Sequence, residues 1–218
     1  MPAPSARTRV ARLPDRGHYE PAEIYAILDA AFLCHIGFVL PAESQDPPQA
    51  CVIPTLFGRD GDRVLFHGSA AASRMLRTVA AGVQVCFEAT IVDGIVLARS
   101  AFHHSMNYRS VVAFGQAQIV TEDAQKLRAL KIISDHIVPG RWNDVRLPTA
   151  QELKATSVLS LKLDEASAKI RTGPPKDEDA DYALPIWAGV LPLQQVAGDL
   201  IPDPKLPPGI PIPAHLKR

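Results

Sequence analysis

The residues of this chain best able to do chemistry fall in two runs. The first is Val52 to Arg77, VIPTLFGRDGDRVLFHGSAAASRMLR. Val52–Phe57 and Arg63–His67 read as strands joined by the turn residues Gly58 to Asp62. Gly68 and Ser69 break the second strand, and a helix opens behind them, with Gly82 placed to end it. A helix start offers free N–H groups and the positive end of a dipole. With a hydroxyl from Ser69 or Ser73 and the planar fork of Arg74 it can grip a phosphate. Arg77 lies three residues on, at a neighbouring position of the same helix. Spacing alone leaves a plainer reading open, in which Ser69 is only a cap and Arg74 a solvated charge. His67 ends the strand beside this turn, either as a group that touches a bound molecule or as a hydrogen-bonded core histidine.

The second run is Arg99 to Ser110, RSAFHHSMNYRS. It holds two imidazoles, an amide, a phenol and two guanidiniums, and no acid. Such groups hydrogen-bond a heteroaromatic ring and its phosphate chain. A long solvated hairpin loop is the alternative. Other chemistries find no support. No HExxH or zinc-type cysteine spacing is present, so a metal site is not expected. No GxSxG elbow and no GxGxxG after a strand occur. Asp177, Glu178, Asp179 and Asp181 read as a solvated acidic loop.

These runs need strands to hold them. Pro21 to Ala31 should be a helix, with proline at its favoured early position. Leu33–Leu40 and Val83–Val92 alternate as strands, and Asp93-Gly94 is the strongest hairpin signal, sending Ile95–Phe102 back antiparallel. Tyr108–Val120 is another strand, with Gly115 as a bulge. Glu122–Ile137 is a helix, Thr156–Leu163 and Ala168–Arg171 are strands, and Pro185–Leu193 is the last strand. Six or seven closely spaced antiparallel strands predict a mainly β barrel with peripheral helices. Residues 1–20 form an extended arm, 21–193 the barrel domain and 194–218 a proline-rich tail.

With 23 basic and 23 acidic residues the chain has no net charge, so no field draws it to nucleic acid. No apolar run approaches the roughly 20 residues of a membrane span. Cys34, Cys51 and Cys86 lie in apolar strands and read as buried thiols of a reducing compartment. A cytoplasmic protein is the expectation. Apolar faces on Val83–Val92 and Ile95–Phe102 need cover, which a second copy would supply.

The motifs in order (VIPTLFGRDGDRVLFHGSAAASRMLR, DGIVLARSAFHHSMNYRSVVAFG, PGRW, ELKAT, SAKIRTGPP, LPIWAGVLPL) resemble the pyridoxamine-phosphate-oxidase-like flavin-binding proteins. Within these they are most similar to the nitroimidazole-resistance branch. The resemblance spans Arg12 to Leu193. It implies a split β-barrel, a homodimer, and FMN in a cleft between subunits. Ile53, Pro54, Thr55, Leu56 and Phe57 would line the flavin edge. His67, Gly68 and Ser69 would end the strand before the phosphate loop, and Ser73 with Arg74 would hold the phosphate. The true oxidases follow that pair with lysine, where Met75 stands here. Tyr108, Arg109 and Ser110 match a flavin-contacting strand, and Trp187 a tryptophan that closes the site across the dimer. The arginine and histidine with which the oxidases bind pyridoxal phosphate do not follow Trp187 in the expected pattern, so oxidation of pyridoxamine phosphate is not expected. The resemblance implies a flavin-dependent oxidoreductase of a small molecule, such as a nitroaromatic, with His67 orienting or protonating it. A non-catalytic flavin or haem binder is the alternative, with His35, His67, His103 or His104 as axial ligand.

Overall fold

The computed structural model describes residues 5–42, 47–69, 82 and 84–216. Ten strands form one antiparallel sheet: β1 (Gly17–His18), β2 (Leu33–Leu40), β3 (Gln49–Asp60), β4 (Arg63–Ser69), β5 (Gln84–Leu97), β6 (Ser105–Gln116), β7 (Gln118–Val120), β8 (Thr156–Lys162), β9 (Ala166–Arg171) and β10 (Gly189–Pro192). Their order is β1-β9-β6-β5-β2-β3-β4-β8-β7, with β10 on β5. The sheet curls around a core of Phe57, Phe66, Phe87, Ile36, Leu159 and Val111 without closing, and this is a split barrel. Among the described residues three helices accompany it: α1 (Pro21–Ala30), α2 (Asp123–Ile137) and α3 (Ala150–Ala155). Helix α1 adds Ile24, Ile27 and Leu28 to the core. Helix α2 presses so closely on β3 that a Cβ on Gly58 would lie 3.0 Å from the Ile132 carbonyl oxygen.

The split is written into two strands. The first two-thirds of β3 pairs with β2, Leu33↔Leu56 through Leu40↔Gln49. Only its last four residues pair with β4, ending at Phe57↔Phe66. Beyond that point β4 stays with β8, where His67, Gly68 and Ser69 face Val158, Ser157 and Thr156. The other break falls at the buried Ala117, where the chain passes from β6, beside β5 and β9, to β7, beside β8.

Several elements differ from the sequence reading. Asp93-Gly94 makes no hairpin: β5 runs straight through it, with a register shift between Val92 and Gly94. The Asp93 carboxylate is held by Arg109, which donates through Nε (2.8 Å) and Nη2 (2.7 Å). Gly94 lies under β10, opposite Pro192. Two tertiary partners thus override a local turn preference. Gly115 pairs in register with Val85 and is no bulge. The segments read as Val83–Val92 and Ile95–Phe102 are one strand, β5, the segment read as Tyr108–Val120 is two strands, and β1, two residues long, carries no periodic signal. The acidic loop is not all solvated. The Asp177 side chain is fully buried and accepts the backbone N–H groups of Arg99 (3.0 Å) and Ser100 (3.2 Å). Helix α3 starts on a capping box of Thr149 and Glu152.

The terminal segments fold back on the barrel. In the arm, β1 pairs with β9, and Arg7 Nε donates to Glu165 at 2.9 Å. In the tail, His215 Nδ1 lies 3.0 Å from an Asp144 carboxylate oxygen. No described helix is long and apolar enough to cross a membrane.

Candidate functional site

Where the β3/β4 ladder stops, the two strands part and a mouth opens. Leu56 and His67 would be the next cross-strand pair, so they flank that mouth on one face of the sheet. On the same face, one pair further back, Gly58 and Leu65 lie under or beside α2, since Leu65 packs with Ala129 and Ile133. Val158, opposite His67 on β8, is buried in the same cluster.

His67 is half-buried, and burial pushes its pKa below the ordinary histidine value. The ring is neutral at pH 7, able to donate from one nitrogen and accept at the other. A histidine with a lowered pKa in the folded state binds fewer protons than the unfolded chain. Stability from this residue is present above about pH 6.5 and is lost as pH falls toward the folded pKa. We expect His67→Ala to flatten the fall in melting temperature between pH 7.5 and 5.5 while leaving the pH 7.5 value nearly unchanged. An unchanged acid slope would show that His67 titrates alike in both states.

Strand alternation sorts the five β3 candidates. Ile53 and Phe57 point inward, and Phe57 has no solvent exposure. Thr55 shares that side, opposite Cys34, whose thiol donates to the Thr55 carbonyl at 3.4 Å. Burial, with a lesser push from Glu88, raises the Cys34 pKa to about 12, so this thiol is inert. Pro54 and Leu56 point outward. Their outer face continues through His35 and Glu88 to Val112, one cross-strand row over four strands. It carries Val39, Val52 and Leu33 to solvent, with Val52 67% exposed.

Tyr108 and Ser110 lie on this same outer face, on β6. Strands are about 4.8 Å apart, so β6 is roughly 14 Å from β3 and these side chains do not meet His67 within one protomer. Arg109 points to the other side and is committed to Asp93. Trp187 is 70% exposed, its ring packed edgewise over Gly189. The Gly68 backbone and the end of β4 at Ser69 are in place at the mouth. Ser73 and Arg74, the expected phosphate grip, lie outside the described residues, as does the helix expected after Ser69.

Sequence reasoning missed a buried polar cluster beside Tyr108. Arg171 is buried on β9, and its guanidinium donates to Asn107 Oδ1 and to the carbonyls of Gly173 (3.1 Å) and Pro174 (3.0 Å). Asn107 returns a bond to Gly173 at 3.2 Å. Gly173 sits at φ +93°, a conformation glycine tolerates. The cluster clamps the RTGPP turn onto the start of β6, and the RTGPP string is its one visible sign in the sequence. Among the described residues no group of histidine, cysteine and carboxylate side chains could hold a metal ion.

A family model described as pyridoxamine 5'-phosphate oxidase matches residues 20–170, about two-thirds of the chain. The chain belongs to this family. Among solved structures, the flavocytochrome Anf3 from Azotobacter vinelandii is 39% identical, with a TM-score of 0.89, over 98% of this chain and 96% of that one. The FAD and haem binding protein from Mycobacterium smegmatis is 34% identical, with a TM-score of 0.82, over 92% and 95%. A putative 5-nitroimidazole antibiotic resistance protein from Bacteroides thetaiotaomicron shares the fold at 19% identity and a TM-score of 0.56, over 71% and 86%. A comparison with curated proteins finds no significant match. The family match covers β2 to β8, most of β9 and the mouth at His67. The two relatives above 30% identity also cover most of the arm and the tail.

Proposed function

We propose that this protein is a flavin- and haem-binding redox protein that works as a homodimer. One observation carries the reading: two relatives at 39% and 34% identity, aligned over more than nine-tenths of both chains, are by name a flavocytochrome and an FAD and haem binding protein. The site fits a flavin. The parted strands offer Leu56 and Pro54 as an apolar edge, His67 as a neutral hydrogen-bonding group, and the strand end at Gly68-Ser69 leading to Ser73 and Arg74. The family resemblance of the sequence points to FMN; the name of the M. smegmatis relative favours FAD, and we take FAD as the nucleotide. When bound, the flavin supplies hydride chemistry and the haem one-electron chemistry. The chain's part is to fix the flavin edge against β3, hold its phosphate with Arg74, and place the neutral His67 ring where it can donate or accept a proton. A small oxidising molecule is the substrate class.

The homodimer reading rests on the outer face of β2, β3 and β5. There Leu33, Val39, Val52 and Leu56 form an exposed apolar patch beside the His35–Glu88 pair; such patches mark interaction surfaces, and a C2 partner would cover this one isologously. The same pairing would bring Tyr108, Ser110 and Trp187 of one subunit toward the mouth at His67 of the other.

The test is the visible spectrum and chromatography of what copurifies. We expect isoalloxazine bands together with a Soret band, and FAD on extraction. Arg74→Ala should weaken the flavin nucleotide by roughly 1.5–3 kcal/mol, the worth of a charge-assisted bond, and leave riboflavin affinity unchanged. A colourless protein that shows no saturable quenching of flavin fluorescence would sink the reading. Equal weakening of riboflavin would make Arg74 a structural residue.

A further inference from the structure

We propose that the cavity between the first half of α2 and the strands β4, β8 and β7 binds a small organic monocarboxylate, with Arg63 holding its charge. This second site is separate from the mouth at His67 and does not rest on the flavin or haem reading.

The sheet face under α2 changes character along β4. Strand alternation puts Arg63, Leu65 and His67 on one side. In the cross-strand rows His67 stands with Val158 and Val120, and Leu65 with Ser160 and Gln118. Helix α2 seals the apolar part, where Ala129 and Ile133 pack with Leu65 and Val158. Toward its start the helix turns Gln125 and Arg128 to the sheet, and the sheet answers with Gln118, Ser160 and Arg63. There the two layers do not close, and a cavity of about 360 Å³ lies between them. That volume falls at the lower end of the range for small-molecule sites. Arg63 and His67 stand at opposite ends of the β4 ladder, roughly 13 Å apart at about 3.3 Å per residue, so one small ligand does not reach both.

The charges around the cavity do not cancel. Arg128 donates through Nη2 to Asp60 at 2.8 Å, and that pair is neutral. Lys162, opposite Arg63 in the ladder, is paired with Asp164 at 2.7 Å. Arg63 is half-buried, and its Nη1 donates to the hydroxyl of the buried Ser160 at 3.2 Å. Among the described residues no carboxylate is paired with this guanidinium. Its planar fork carries five N–H donors and matches the two oxygens of a carboxylate. One uncompensated positive charge selects a monoanion, since a dianion would set a second negative charge against Asp60. Leu65, Val120 and Ala129 on the cavity wall give the ligand's body apolar contact.

The experiment titrates the full chain at pH 7.5 with benzoate, benzamide and phenyl phosphate, read by calorimetry and by amide chemical shifts. We expect benzoate to saturate in the millimolar range or tighter, as suits so small a ligand. The shifts should centre on Arg63–Leu65 and Gln118–Val120. Benzamide has the same shape without the charge and should bind at least about tenfold more weakly, the scale of a lost charge-assisted bond. Arg63→Gln should weaken benzoate by a similar factor. Arg63→Lys keeps the charge without the fork and should retain part of the affinity. Circular dichroism reports folding, and the contrast between benzoate and benzamide on the wild type decides the matter without any variant. Benzoate that does not saturate, benzamide that binds as well, shifts centred on His67, or folded Arg63→Gln protein that binds benzoate like the wild type would each overturn the assignment. Tighter binding of phenyl phosphate than of benzoate would overturn the monocarboxylate class.

Discussion

Val52→Asp is expected to turn the proposed dimer into a well-folded monomer. Val52 is 67% exposed in the protomer, so a carboxylate there stays in water and costs the single chain little. In a C2 dimer built on this face the same residue enters the interface twice. Leaving one charge buried without a partner costs about 3–5 kcal/mol. At 1.4 kcal/mol per factor of ten, a single such charge weakens association roughly 10²–10³-fold, and symmetry doubles the free-energy penalty. A dimer that is stable at low nanomolar concentration would then fall apart in the micromolar range. Val52→Leu keeps the face apolar and should keep the dimer. Sedimentation velocity across that range, with circular dichroism as the folding control, reads both variants. If the flavin cleft is completed by the partner's Tyr108, Ser110 and Trp187, the monomer should also lose flavin affinity, because binding and association are then linked. Persistence of a dimer in Val52→Asp would move the interface to another surface.

Much of this arrangement is legible in the amino-acid sequence. The apolar run of Leu33–Leu40 marks strand β2, and the turn residues Gly58 to Asp62 mark the β3–β4 hairpin. Those elements are local, and their residues agree with the fold at every level. The failures are non-local. Asp93-Gly94 has the composition of a hairpin turn, and only Arg109 and β10 explain why it is a bulge in a straight strand. Asp177 sits in a run of acids that looks solvated, and only the amides of Arg99 and Ser100, far off in sequence, make it a buried acceptor. The mouth at His67 shows both sides. Its strand ends are legible, but no residue pattern signals that β3 changes partners midway, and that change is what opens the mouth. Grouping Tyr108, Arg109 and Ser110 together overlooks the two-residue period of a strand, which turns Arg109 away from its neighbours.

The same period yields the largest expected contrast between adjacent residues. The family resemblance puts both Phe57 and Leu56 along a flavin edge, yet they face opposite sides of β3. Phe57 is the last residue to pair with β4. Its ring meets Phe87 edge to face at 5.2 Å, and it has no exposure. Truncating a buried phenylalanine costs about 3–5 kcal/mol in lost transfer energy and cavity. For a chain of this length each kcal/mol moves the melting temperature by about 2–4 °C, so Phe57→Ala should melt roughly 10 °C lower. Leu56 is 38% exposed. Leu56→Ala should cost well under 1 kcal/mol of stability, as surface changes do, and should instead weaken the flavin by removing apolar contact at the mouth. Calorimetry and a flavin titration on the two variants separate the roles. Phe57→Ala protein that melts like wild type but loses flavin would place its ring in the cleft. A large fall in melting temperature for Leu56→Ala would reverse the facing of β3, and with it the mouth on which the proposed function depends.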